Sequence, residues 1–245
     1  MRCAILADIH SNLEAFSAVL EHLNRSGGFD RIWCLGDVVG YGPDPGACIE
    51  LLSRYDHICV AGNHDWACTG RVSTSDFNPI AAQACEWTAS QLGDDGIEYL
   101  NNLPESIIEG DFTLVHGSPR QPLWEYVLST GMAAVNMDYF DTEYCLMGHS
   151  HVSLVYLFDE SAGMCKDLCI DDGGSYVLDK RRAMINPGGV GQPRDGDPRA
   201  NYMLYETGIG TITHHRVAYD YSETQAKMTR HKLPDLLIER LAYGY

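Results

Sequence analysis

Five short apolar runs in this chain each break off into the same small set of polar residues. They end in Ala7-Asp8-Ile9-His10, Leu35-Gly36-Asp37-Val38-Val39-Gly40, Ala61-Gly62-Asn63-His64-Asp65, Val115-His116-Gly117 and Met147-Gly148-His149-Ser150-His151. An apolar run that stops at a tight-turn residue reads as a buried strand, although periodicity alone leaves a helix open. The polar side chains are then displayed at strand ends, and in open α/β sheets the crevice beyond the carboxyl ends of the strands is where ligands bind. Five such ends can therefore converge on one place, an inference from that rule and not from spacing.

The intervening stretches suit this arrangement. The N-terminal half alternates strand and helix patterns, as crossover connections in a parallel sheet do. Strands are predicted at 2–7, 31–35 and 58–61. Over 12–23, Leu13, Phe16, Val19, Leu20 and Leu23 recur at helical spacing, with Ser11 or Asn12 as the cap. Residues 45–54 read as a helix opened by Asp44 at the cap and Pro45 in the first turn. Helices are also expected over 78–92 and 96–102, interrupted at Gly93-Asp94-Asp95-Gly96. In the second half, 106–109 and 112–115 read as a hairpin across Gly110-Asp111. A helix at 129–139 is followed by strands at 144–147, 152–158, 175–178, 183–185, 202–206 and 211–218. Two sheets packed face to face with helices outside are expected, in one domain spanning 1–245 with residues 222–245 as a helical extension.

Each polar cluster has a blander reading when taken singly. Asp8-Ile9-His10 fits a capped turn, Gly36-Asp37 a plain turn, and His116 a hydrogen-bonded core histidine. Turn chemistry also explains Gly62-Asn63 but gives no reason for His64-Asp65. His149 and His151, two apart on an extended segment, point to opposite sides and can serve two different ions. All five clusters together, each behind an apolar run, are poorly explained by turns and packing.

With Lys+Arg 17 against Asp+Glu 34 and a net charge of -17, long-range attraction to nucleic acid or anionic membranes is disfavoured. The nine cysteines are odd in number and mostly in apolar contexts, the usage of a reduced compartment. No charged-then-apolar leader precedes the first strand, and no apolar stretch approaches the length of a membrane span. A cytoplasmic, soluble protein is the expectation.

The series Asp8-x-His10, Gly36-Asp37-x-x-Gly40, Gly62-Asn63-His64-Asp65, His116 and Gly148-His149-x-His151 resembles the motifs of the calcineurin-like dimetal metallophosphoesterase superfamily, in particular its small bacterial and archaeal members. The resemblance spans residues 8–151. It implies a four-layer α/β/β/α sandwich of two mixed sheets flanked by helices, the metallo-dependent phosphatase fold, carrying a two-ion hydrolytic site. By the same resemblance Asp8, His10, Asp37 and His151 hold one ion, and Asp37 bridges to a second held by Asn63, His116 and His149. It leaves Asn63 and His64 to touch substrate. His64 would stabilise phosphoryl charge or protonate the departing oxygen, and Asp65 would orient His64 and favour its imidazolium.

Two divalent cations about 3.5–4 Å apart need a shared anionic ligand, and a carboxylate giving an oxygen to each offsets their repulsion. The bare site stays cationic and attracts phosphate despite the acidic surface, and a bridging hydroxide is placed for in-line attack on phosphorus. Imidazole, carboxylate and amide donors without thiolate suit manganese or iron, or else zinc or nickel, better than calcium or magnesium.

A second segment, residues 186–194, places glycines and Arg194 where they could approach and clamp a phosphate, though a surface loop joining two strands is the favoured reading. Tyr41 either lines the pocket or packs. The expected substrate is a phosphodiester or small nucleotide. Phosphomonoesterase or phosphoprotein phosphatase activity, a nuclease, and a non-catalytic binding module on the same fold are the alternatives. Oligomeric state is left open.

Overall fold

Side-chain alternation along the first strand decides the layering. A computed structural model describes residues 1–245. In β1 (Arg2–Leu6), Cys3 and Ile5 point to one side and Ala4 and Leu6 to the other, and all four are fully buried. A strand buried on both faces needs cover on both. Cys3 and Ile5 meet Phe112, Leu114, Tyr144, Leu146 and Ile185 of a second sheet, whereas Ala4 and Leu6 pack with Phe16, Val19 and Leu23 of helix α1 (Leu13–Arg25).

The first sheet has the order β3 (His57–Cys59), β2 (Arg31–Cys34), β1, β11 (Ala200–Glu206), β12 (Thr211–Val217), β9 (Ser175–Val177). Its first three strands are parallel and β11 returns antiparallel. The second sheet runs β4 (Ser106–Glu109), β5 (Phe112–Val115), β6 (Tyr144–Leu146), β10 (Ala183–Pro187), β7 (Ser153–Asp159), β8 (Met164–Leu168), with β5, β6 and β10 parallel. Helices cover both outer faces: α1 and α2 (Pro45–Ser53) on the first sheet, and α6 (Thr130–Asn136) on the second, where Ala133 packs with Cys145, Tyr156 and Met184. The four-layer mixed-sheet sandwich is as expected. No helix is long and apolar enough to cross a membrane.

Local departures have local causes. Gly62-Asn63, which turn chemistry would explain, opens a short buried helix, α3 (Asn63–Cys68), because the Asp65 side chain accepts the backbone N–H of Gly62 and caps it. The cap of α1 is Asn12, which accepts from Ala15 N–H. Asp44 stands at the N-cap of α2 with Pro45 in the first turn, as expected, but its carboxylate makes no capping bond and turns instead to Lys227 Nζ at 2.9 Å. Gly96 lies inside α5 (Asp94–Asn101) and does not interrupt it. The edge strand β8, Met-Cys-Lys-Asp-Leu, is mostly exposed and carries too little apolar signal to be read from sequence.

The C-terminal stretch is two short helices, α7 (Tyr221–Arg230) and α8 (Asp235–Glu239), broken at Leu233-Pro234. Met228, Leu233, Leu237 and Leu241 bury themselves against Tyr41 and against Ala81 and Ala84 of α4 (Pro79–Gln91). Lys227 adds ion pairs to Glu14 and Asp44.

Candidate metal centre

The polar segments after β1, β2, β3, β5 and β6 meet at the carboxyl ends of those strands. Their carbonyls, amides and side chains interlock: Asp8 N–H donates to Gly36 O, His10 N–H to Asp37 O, Gly148 N–H to His116 O, and His149 N–H to the Asp8 carboxylate. Asp8, His10, Asp37, His149 and His151 all have φ between 47° and 66°, in the left-handed region that non-glycine residues avoid. Such strain costs of order 1–3 kcal/mol per residue and persists where the surroundings enforce it, typically at functional sites.

Two groups of donors result, one from Asp8, His10 and His151 and one from Asp37, His116 and His149, each with its donor atoms within 4.8 Å of one another. In the first, His10 Nε2 lies 3.1 Å from His151 Nε2, and His151 Nε2 lies 3.4 Å from Asp8 Oδ1. In the second, His116 Nε2 lies 3.1 Å from both Asn63 Oδ1 and His149 Nδ1. Asp37 stands between the two. Its Oδ1 accepts from His64 N–H at 2.9 Å, while its Oδ2 lies 3.5 Å from His10 Nε2 and 3.3 Å from His116 Nε2. One oxygen therefore faces both groups, in place of the expected one oxygen for each. Gly62 makes room for this, since a Cβ there would stand 1.9 Å from Asp37 Oδ1.

Cations fit this donor set. The Nδ1 atoms of His10, His116 and His151 face the carbonyl oxygens of Val39, Leu35 and Gln192 at 3.0, 2.8 and 2.5 Å. A carbonyl only accepts, so each Nδ1 carries the proton and each neutral ring turns an Nε2 lone pair into the centre. Lone pairs 3.1 Å apart, as in His10 and His151, repel one another unless a positive charge stands between them. The 3.1–3.4 Å pairs also agree, since donors about 2.1 Å from an ion at roughly right-angled to tetrahedral angles sit about 3.0–3.4 Å apart, while His10 Nε2 and Asp8 Oδ1, at 4.0 Å, stand wider. Without a cation, protons substitute. Burial would lower the His116 imidazole, but the Asp37 carboxylate lifts it to about 9. Burial, with Asp37 alongside, pushes Asp8 up to about 7. Burial also holds His10, His149 and His151 well below the ordinary histidine range.

All seven expected ligands are thus brought together. His64 is also at the centre, its ring 5.0 Å from that of His10 and 4.3 Å from that of Tyr41, which lines the pocket. Asp65 is a correction. It does not bond His64; its carboxylate accepts the N–H groups of Asp37 at 2.8 Å, Gly62 at 2.9 Å and Val39 at 3.1 Å. The partner of His64 Nδ1 is Cys85 Sγ of α4, at 3.2 Å, a residue that no motif singled out. Hydrogen bonds from Cys68 and from His64 hold that thiol down at about 6 against the opposing effect of burial.

The 186–194 segment is a second correction. It is no surface loop: residues 186–193 are buried, Val190 and Gly191 donate N–H groups to Ala7 O and Asp8 O, and Asn186 Nδ2 donates to Gly148 O. Arg194, at its end, is half-buried, hydrogen-bonded to Gln192 Oε1, and lies 5.8 Å from the centroid of the Tyr41 ring. Beside the centre opens a cleft of about 250 Å³ lined by Asn63, His64 and His149 and by the aromatic rings of Tyr41, Phe77, Trp124 and Tyr126.

Comparison with known proteins accords with this geometry. The profile of the calcineurin-like phosphoesterase superfamily domain matches residues 1–209. A metallophosphoesterase from Sphaerobacter thermophilus, known from a crystal structure, is 47% identical and superposes with a TM-score of 0.90, covering 100% of this chain and 99% of the other. An uncharacterized protein of Methanocaldococcus jannaschii is 36% identical over 246 residues, 98% of this chain and 97% of its own length. A symmetrical bis(5'-nucleosyl)-tetraphosphatase of Pseudomonas putida is 28% identical over 100 residues, 35% of each chain. The chain belongs to the calcineurin-like phosphoesterase superfamily, a dimetal-dependent family of metallo-dependent phosphatase fold, and is a phosphoester hydrolase.

Proposed function

We propose that the chain hydrolyses a phosphodiester or small nucleotide at this centre, with Asp8, His10, Asp37 and His151 holding one divalent cation and Asp37, Asn63, His116 and His149 a second. The observation that carries this reading is the single Asp37 Oδ2 facing both donor groups. The absence of thiolate from the donors favours manganese or iron, then zinc or nickel. Such ions, when bound, neutralise phosphoryl charge and make water nucleophilic near neutral pH.

The chain's own residues supply the rest. Asn63 gives a neutral oxygen, which keeps the anionic ligands to two carboxylates, so the loaded centre attracts phosphate. His64 sits where it can hydrogen-bond a phosphoryl oxygen or protonate the departing one. Arg194, free of any carboxylate partner among its hydrogen bonds, can take a phosphate oxygen bidentately. The rings of Phe77, Trp124 and Tyr126 offer an aromatic platform suited to a nucleobase. Partial similarity to a dinucleotide tetraphosphatase points the same way. The acidic surface supports a small substrate over a nucleic acid, and the cysteine usage supports a cytoplasmic setting.

The test is hydrolysis by protein reconstituted with manganese, iron, zinc or nickel, offered matched aryl phosphate mono- and diesters and dinucleoside polyphosphates. Preference for diester or nucleotide, lost in Asp37→Ala, is expected. Full turnover in Asp37→Ala rejects the centre, and preference for the monoester rejects the substrate class.

A further inference from the structure

We infer that Cys85 is a positioning residue for His64, taking the place that a carboxylate neighbour in the sequence was expected to fill. The inference rests on the role proposed for His64. Asp65, next in the chain, is committed to three backbone amides, and Cys85 Sγ is the group on His64 Nδ1 at 3.2 Å. Both side chains are buried, Cys85 at 1% and His64 at 4% exposure, so water does not compete for the bond.

The ring is enclosed on its other sides. Phe77 meets it edge-on at 4.9 Å, Tyr41 lies 4.3 Å away, and Gly40, whose Cβ would fall 2.6 Å from Nδ1, leaves the space the ring occupies. The remaining nitrogen, Nε2, bonds to no protein atom and is open to the cleft that His64 lines.

The partner on Nδ1 decides what Nε2 presents. If the pair is neutral with the thiol S–H donating to Nδ1, the ring proton resides on Nε2. If the thiol is ionised, the ring is an imidazolium, Nδ1–H donates to sulfur, and Nε2 again carries a proton. In either state His64 offers Nε2–H to the cleft. With Cys85 removed, the ring can shift its proton to Nδ1, and Nε2 then becomes an acceptor with nothing to give a phosphoryl or leaving oxygen.

The consequence is specific to the leaving group. Proton donation matters for a poorly stabilised alkoxide and little for nitrophenolate. The experiment compares Cys85→Ala and Cys85→Ser with the native, metal-loaded chain on a bis-nitrophenyl diester and on an alkyl nitrophenyl-free diester, with metal content and melting temperature measured alongside. In Cys85→Ala, kcat should fall about 10–100-fold on the alkyl diester with KM unchanged, and by less than about threefold on the nitrophenyl diester. Cys85→Ser, which keeps a donor, should recover most of the loss. Equal losses on both substrates, no loss, or a serine variant as poor as alanine would overturn the inference. If the native chain turns over neither diester, the reading of the function fails separately. The inference is then decided by the ¹⁵N shifts of His64, which should report a protonated Nε2 in the native chain and a change on Cys85→Ala.

Discussion

The backbone N–H of Asp37 donates to Asp65 Oδ2 at 2.8 Å, so the residue beside His64 grips the loop that carries the carboxylate shared by both donor groups. The same carboxylate takes the N–H groups of Gly62 and Val39 and thereby ties the segment after β2 to the start of α3. Asp65→Ala leaves these amides buried and unpaired, at about 1–3 kcal/mol each. A loss of roughly 3 kcal/mol or more in urea denaturation is expected, together with weaker metal retention on dialysis. A variant as stable as the native chain would refute this role, while Asp65→Asn, with one acceptor oxygen, should fall between.

Gly62→Ala provides a steric counterpart. The new Cβ would stand 1.9 Å from Asp37 Oδ1 and 2.3 Å from Asp37 N, contacts that real structures do not tolerate. Asp37 must move, and bound metal and turnover should fall together while far-ultraviolet circular dichroism stays native-like. Native metal content in this variant would show that Asp37 is not held as described.

Metal stoichiometry separates the two donor groups. His151 belongs to one group only, whereas Asp37 Oδ2 faces both. His151→Ala should retain about one ion per chain and Asp37→Ala close to none, by elemental analysis after gel filtration. Equal loss in the two variants would mean that the groups are not independent.

The metal-free protein should show a pH signature at His116. Its folded pKa, raised to about 9 by Asp37 against the effect of burial, exceeds the unfolded value of about 6.5. The folded chain keeps a proton that the unfolded chain has lost, so this contribution is full below pH 6.5 and fades as pH rises through 9. The stability advantage of the native chain over His116→Gln, both stripped with chelator, should therefore shrink between pH 7.5 and 9, by on the order of 2 kcal/mol. Comparing the two variants cancels the Cys85 thiol, whose lowered pKa acts in the opposite sense. A pH-independent difference would count against the ion pair.

The aromatic cleft makes a prediction about substrate. Trp124 packs edge-on against Phe77 at 5.3 Å, and both line the cleft. Trp124→Ala should raise KM for a dinucleoside polyphosphate by about tenfold, the equivalent of about 1.4 kcal/mol, with little change for a small alkyl diester. Equal effects on both would remove the base platform from the account.

The donors were legible because each lies directly behind an apolar run, and strand ends in such sheets meet ligands. Other features were not. The resemblance implied that Asp65 orients His64, but buried N–H groups from Asp37 and Val39, brought in by the fold, claim its oxygens first. Cys85 sits mid-helix on an apolar face, where a cysteine looks like packing. The 186–194 segment has the glycine and proline content of a surface loop. Its burial depends on amides and carbonyls that find partners at Ala7, Asp8, Asn12 and His151, which no local pattern announces.

The five left-handed backbone positions among the donors are fixed by the chain's own hydrogen bonds. A cradle set in advance need not reshape itself around each arriving ion, so exchange of one transition metal for another would leave the scaffold unmoved. Selection then passes from the protein to the surroundings: which element resides there follows intrinsic affinity and local abundance. The same chain produced in different growth media is a natural source of differently loaded, equally folded enzyme.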